Sequence, residues 1–451
     1  MLSKNKKIML SYNSLNQHTL IIGQSGVGKS VLLKRIYTQL KQQNTGVFVV
    51  HDIKGDFIQQ FYNPKTDYIL NPLDSRSINL NIFKLIKTKA DVKAVVAALI
   101  PESKEAKEPI WVNSARDIFE SIIYLAIYNY KADKIEKLDN LVIKDYIQQG
   151  IAFLVENFEK VKECSRGYAH LQAYKTSSQP ANIFSNFLSY MTLFDVVAEN
   201  KNPELDLKEF IEKQNNGATI FLANYNNIKD FVAPLLSLFV NALVRELLSL
   251  EENLDRRMFL FLDELTNLLK IDKVLDFLTL ARSKGGAAFL GFQDVKALER
   301  IYDKEGSETI IANTANKIIL RVGDVSTAEY LSKLIGEQEV KIVNKSHSVS
   351  PFDRDSVSYS TQIQRRPAVL ASQITSLPTL HYFLKTLELQ EWTYVPNAFI
   401  PAQDKHELKQ PKLQLVDTFN INFSSQEIAA DFQKMLNMAE EEADEDEQTL
   451  L

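Results

Sequence analysis

An α/β fold with a mostly parallel sheet is predicted for this 451-residue chain by three observations. Short, almost purely apolar runs recur along it: "HTLIIG" (18–23), "GVFVVHD" (46–52), "ATIFLANY" (218–225), "RRMFLFLDE" (256–264), "GGAAFLGFQ" (285–293) and "NKIILRV" (316–322). Each suits a buried strand. After the first run, Leu32, Leu33, Ile36, Tyr37 and Leu40 recur at helical spacing, which predicts a helix over 29–43. A glycine-rich turn joins that strand to that helix, and strand, turn, helix, strand opens a parallel α/β unit.

Residues 89–198 break the pattern. "DVKAVVAALI", "VNSARDIFESIIYLAIYNY", "QGIAFLVENFEKV" and "PANIFSNFLSYMTLFDVV" all carry helical periodicity. The expected organisation is therefore a nucleotide-binding core in two parts, 1–88 and 199–400, split by an all-α insertion at 89–198. Within the second part, "VKIVNKSHSVS" (340–350) and "SVSYSTQIQRR" (356–366) alternate on either side of "PFDRD" and predict a β-hairpin over 340–366. The remainder, 401–451, is polar and carries "EEEADEDE" (440–447) close to its end, a stretch expected to be disordered.

Composition excludes several classes. With 45% hydrophobic and 24% charged residues the chain reads as globular. The seven acids of 440–447 outweigh the whole net charge of −5, so an anionic partner is not excluded. A single cysteine, Cys164, rules out a disulfide scaffold or a cysteine-based zinc site and fits a reducing cytosol. His18, His51, His170, His347, His381 and His406 are scattered and suggest no metal cluster. The start lacks the apolar core of a signal peptide. "APLLSLFVNALVRELLSL" (233–250) includes Asn241, Arg245 and Glu246, which predicts an amphipathic or buried helix and no membrane span.

"GQSGVGKS" matches G-x-x-x-x-G-K-[ST] in full. Gly23, Gln24, Ser25, Gly26, Val27, Gly28, Lys29 and Ser30 would wrap backbone N–H groups around phosphates at a helix N-terminus. Lys29 would reach the β and γ phosphates and Ser30 would bind Mg²⁺. Asp263 and Glu264 end a buried strand. Asp263 would hold Mg²⁺, and Glu264 would orient and deprotonate the attacking water. That glutamate favours a hydrolysing ATPase, and the lack of an Asn-Lys-x-Asp guanine signature also favours ATP. Gln293 ends a third strand and would sense the γ-phosphate or the water, since strand ends of a parallel sheet share one crevice. Arg282 ("LARSKGG") and Arg321 ("IILRVGD") compete as a finger for a neighbour's site, with a surface charge or a strand-end salt bridge as the plainer role. Arg282 is preferred.

"VVHDIKGDF" (49–57) resembles the D-P-K-G-E signature of conjugative coupling proteins, the TraD/TrwB-type ATPases of type IV secretion within the FtsK/HerA superfamily. "HTLIIGQSGVGKS", "YILNPLDSRSINLNIF", "EPIWVNSARDIFESII", "LDELTNLLKIDKVLDFLTLARSKGGAAFLGFQD" and "RRPAVLASQITSLPTLHYFLK" are similar to further stretches of that family, together spanning roughly 15–400. The resemblance implies a RecA-like core binding ATP·Mg²⁺, with Gln293 as the motif 3 sensor. It also implies an all-α domain facing the relaxosome, and a hexameric ring that pumps DNA through a central pore towards a type IV secretion channel. Lys284 and the 340–366 hairpin are candidates for the pore. Coupling proteins usually carry two membrane-spanning helices before the P-loop, whereas 17 residues precede His18 here. The expectation is a cytoplasmic chain, peripheral at the inner membrane if a partner supplies the anchor. Two other readings stay open. One is a coupling ATPase that delivers protein substrates; the other is a nucleotide-gated docking adaptor, which would need no water-activating glutamate.

Overall fold

In a computed structural model of the protein the described residues are 12–43, 46–101, 109–212, 217–225, 228–348, 356–389, 391–396 and 413–414. The chain divides into a body, Met1–Leu413, and a C-terminal stretch, Gln414–Leu451, of which Gln414 alone is described. The acidic run and the "PFDRD" turn thus lie outside the described residues.

A short helix α1 (Tyr12–Leu15) leads into β1 (Thr19–Ile22), α2 (Lys29–Gln42), β2 (Val47–Asp52), α3 (Asp56–Phe61) and β3 (Tyr68–Leu70). Among the described residues, six α-helices follow without a strand: α4 (Lys89–Leu99), α5 (Pro109–Lys131), α6 (Asn140–Gln148), α7 (Gly150–Phe158), α8 (Ser165–Leu171) and α9 (Gln179–Ala198). The sheet resumes with α10 (Leu207–Glu212), β4 (Thr219–Ala223), α11 (Lys229–Ser249), β5 (Met258–Leu262), α12 (Lys273–Leu280), β6 (Gly286–Phe292), α13 (Val295–Ala312), β7 (Asn316–Ile319) and α14 (Val325–Ile335). Last come β8 (Glu337–Ser348), β9 (Ser356–Pro367), α15 (Ala371–Thr375), β10 (Tyr382–Lys385) and β11 (Thr393–Val395).

Nine strands form one sheet in the order β11-β10-β7-β1-β6-β5-β2-β4-β3. All pairings from β7 to β3 are parallel, and β10 runs antiparallel to both β7 and β11. The predicted α/β, mostly parallel architecture is therefore observed. Alternate residues of each strand feed separate cores, as expected of a sheet covered on both faces. On one face Phe48, Phe259, Phe261 and Phe289 pack against Leu33, Tyr37 and Leu40 of α2, with the Phe261 and Phe289 rings stacked at 4.4 Å. On the other, Val49, Leu222, Leu260 and Leu290 belong to a cluster that continues through α11 into Ile118, Phe119 and Phe187 of the helical run.

Helix α11 is long and apolar enough to cross a membrane by length and composition, but 67% of its apolar window is buried within the protein. Val232, Leu236, Phe239, Val240 and Leu243 lie inside the core, and Arg245 pairs with Asp91 of α4. It is a core helix, as its polar residues predict. Strands β8 and β9 form a separate two-stranded ribbon, paired from Glu337↔Pro367 to Ser348↔Ser356. Three strands were not foreseen: β3, β10 and β11, each of three or four residues towards the sheet margins. So few residues show no period.

Candidate active site

The sheet order puts the C-terminal ends of β1, β6 and β5 side by side. Ile22 lies opposite Phe292, and Leu262 opposite Leu290, so the residues that follow emerge into one crevice. From β1 the chain turns through Gly23–Gly28 into α2. Gly23 N–H donates to the Phe292 carbonyl (3.2 Å) and Gln24 N–H to that of Arg321 (2.9 Å). Gly26 and Gly28 have φ of 79° and 107°, values that side chains resist, which leaves the loop open around its own amides. Ser25 and Gly26 are exposed, and Val27 anchors the loop in the core.

Two acids meet this loop. Lys29 Nζ lies 2.8 Å from Glu264 Oε2, with both side chains over nine-tenths buried. Gln293 Nε2 donates to the same oxygen (2.9 Å), and Thr266 Oγ1 donates to the other (2.6 Å). Ser30 Oγ donates to Asp263 Oδ2 at 2.5 Å. Burial pushes the Asp263 carboxyl above its usual range, against the pull of Lys29, Ser30 and Lys54. Its Oδ1 is buried and makes no hydrogen bond. An orphaned carboxylate oxygen beside a serine hydroxyl at a phosphate loop is the donor set a hard divalent cation takes. The crevice thus joins a glycine-rich loop at a helix N-terminus, a serine–aspartate pair and a glutamate held against Lys29.

Residues 3–393 match the family described as the type IV secretion-system coupling protein DNA-binding domain. The chain belongs to this family. It is 27% identical over 415 residues to the coupling protein TraD of Escherichia coli, a match that covers 87% of this chain and 55% of TraD. Protein VirD4 of Agrobacterium fabrum is 31% identical over 146 residues, covering 32% of this chain and 22% of VirD4. The chain therefore spans about half the length of TraD and less of VirD4. Among solved structures, the bacterial conjugative coupling protein TrwB superposes with a TM-score of 0.70 at 22% identity, covering 90% of this chain and 88% of that one. A structure of TrwB in complex with ADP and Mg²⁺ matches with the same score and identity over 92% of both chains. At such identity the likeness establishes a shared fold.

In this coupling-protein chain the two candidate arginines occupy different places. Arg321 follows β7 beside the loop, with its Nε buried and unpartnered. Arg282 is exposed and precedes β6, at the opposite end of the parallel strands from Lys29. With the Gln17 side-chain oxygen turned towards it, its Nη1 donates at 2.6 Å and its Nη2 at 2.9 Å. Lys284 lies at that same end, just before β6 begins at Gly286, and its carbonyl accepts from Arg256 Nη1 at 3.4 Å.

Two features of the site were not visible in the sequence. Leu380, with φ of 63°, donates its N–H to the Val27 carbonyl (3.0 Å), and a Cβ on Gly28 would stand 2.2 Å from its Cδ2. The segment before β10 thus closes one side of the loop. The Asp-x-Lys-Gly-Asp stretch also has a structural logic. The Asp52 carboxylate, 2% exposed, accepts the N–H groups of Asp56, Phe57 and Ile58 and caps α3.

Proposed function

We propose that this chain is the motor of a DNA-transfer system: it binds ATP with Mg²⁺, hydrolyses it, and uses the cycle to move DNA towards a type IV secretion channel. The observation that carries this is the convergence of Lys29, Ser30, Asp263, Glu264 and Gln293 on adjoining strand ends. In this reading Gly23–Ser30 cradle the phosphates. Ser30 and Asp263 would hold Mg²⁺, which would neutralise charge on the phosphates. Glu264, released from Lys29 when phosphate arrives, accepts a proton from the attacking water, and Gln293 orients that water.

The assembly we propose is a hexameric ring in which Arg282 acts on a neighbour's nucleotide. Its exposure, far from its own Lys29, supports that choice over Arg321. Residues 1–88 and 199–400 would act as the ATPase core, and 89–198 as the docking part for the relaxosome. DNA would be gripped by its backbone, without sequence preference. We place the protein at the cytoplasmic side of the inner membrane.

The test is ATP turnover without polymer, with single-stranded DNA and with duplex DNA, at two salt concentrations, beside Lys29→Ala. Stimulation by DNA that weakens with salt supports translocation, because backbone contacts release counterions. Turnover indifferent to DNA favours delivery of protein cargo, and absence of turnover favours an adaptor.

A further inference from the structure

The Asp-x-Lys-Gly-Asp turn contains a lysine that the nucleotide chemistry above does not use. His51 lies opposite Leu262, so Asp52 is level with Asp263 and the turn Ile53–Gly55 leaves the sheet beside the magnesium-holding acid. The turn is rigid. Asp52 accepts three backbone N–H groups at 2.9–3.1 Å, and Gly55 takes a φ of 72° that a side chain would resist. Asp56 reaches Lys34 of α2 at 3.8 Å, which ties the turn to the helix that begins the phosphate loop. Sinking a carboxylate this deeply costs desolvation, and here that cost fixes one short turn.

Lys54 sits at the apex of this turn. It is exposed and makes no hydrogen bond or ion pair with any described residue, although its charge reaches Asp263. The crevice holds one buried cation, Lys29, against two carboxylates, Asp263 and Glu264, before any phosphate enters. A triphosphate adds more negative charge than one magnesium ion removes. Further positive charge is called for, and Lys54 stands on the β2 side of Asp263, across from the loop and from Arg321, which follows β7.

We propose that Lys54 is a second phosphate-contacting residue, reaching the terminal phosphate of the nucleotide bound by the same chain from the side opposite Lys29. There it stabilises the charge on the terminal phosphate oxygens as the water oxygen bonds to phosphorus. The bond to the bridging oxygen then breaks, its electron pair leaves with ADP, and the water proton passes to Glu264. This inference rests on the nucleotide-binding reading and adds a residue to it.

The two can be tested separately. Binding of ATP and of ADP, each with Mg²⁺, is measured by calorimetry on the full chain carrying Glu264→Gln, with and without Lys54→Ala or Lys54→Arg. Loss of one charged contact to the terminal phosphate should weaken ATP roughly tenfold while ADP stays within about twofold. Lys54→Arg should restore most of the difference. In the otherwise native chain, Lys54→Ala should slow single-turnover hydrolysis about 100-fold. Equal weakening of ATP and ADP, or no change in either, overturns the assignment of Lys54 and leaves nucleotide binding intact. A Glu264→Gln parent that binds neither nucleotide overturns both.

Discussion

Lys29 and Glu264 neutralise each other across a 2.8 Å ion pair, buried and braced by Gln293 and Thr266. In the proposed mechanism the pair engages the lysine that would bind phosphate and the glutamate that would activate water at once. Neither can act until a more strongly charged group separates them. A triphosphate would do so by drawing Lys29 to itself and leaving Glu264 free beside Gln293.

Glu264→Gln should therefore act in two directions. Lys29 loses its charge partner, so ATP binds at least as tightly as to the native chain. Turnover falls, because an amide cannot take the proton, and a loss of about 100-fold or more is expected for a general base. Equilibrium binding of a fluorescent ATP analogue and steady-state phosphate release read the two effects separately. Undiminished release would remove Glu264 from the chemistry.

Gly291 is the point where β6 touches the acid-bearing end of β5. A Cβ there would stand 2.1 Å from the Asp263 carbonyl oxygen, a backbone atom with no rotamer to give way. Gly291→Ala should cost about 1–3 kcal/mol of stability through overpacking and should also displace Asp263 from Ser30. Gly150→Ala is the control. Its φ is 79° and nothing lies within 4 Å, so it strains the backbone far from the site. Thermal melts should register both substitutions, whereas Mg²⁺-dependent nucleotide binding should fail only in Gly291→Ala.

What could be read in advance was whatever the chain encodes locally. The glycine and lysine spacing of 23–30 and the apolar runs ending at Asp263 and Gln293 are contiguous patterns, and the parallel-sheet rule then brings their ends together. The contact of Leu380 with Val27 joins residues far apart in the chain beside a four-residue strand, and no period or motif announces it. Lys54 was visible as part of a signature, but its isolation on a turn braced by Asp52 is a property of packing. The scattered histidines likewise gave no sign that two of them are buried.

Those two, His18 and His51, should weaken the fold as the pH becomes acid. Burial holds His18 down to about 4 and His51 to about 3. Each stays neutral in the folded chain while the unfolded one protonates near 6.5. Their contribution is complete above that value and is lost as pH falls towards the folded values. Asp52 runs the other way. Burial raises it to about 6, so its contribution is greatest below 3.8 and is lost as pH rises through 6. His18→Asn keeps an acceptor for the Ala288 N–H and tolerates the φ of 59°. Its stability should fall less than the native chain's between pH 6.5 and 4, by roughly 3 kcal/mol. Asp52→Asn should fall more steeply over the same range. Denaturant titrations at four pH values decide both signs.

Arg282 can be tested by mixing. It is exposed at the strand end remote from Lys29 and steadied by Gln17, so it cannot serve the nucleotide of its own chain. If it completes a neighbour's site, Arg282→Ala should lower turnover by roughly 10³-fold or more. A Lys29→Ala chain has no working loop but still offers its arginine, and an Arg282→Ala chain has the loop without the arginine. Mixed in one assembly, the two inactive variants should regain turnover at every interface that pairs an intact loop with an intact arginine. A mixture as inactive as its parts would leave Arg282 a surface charge held by Gln17.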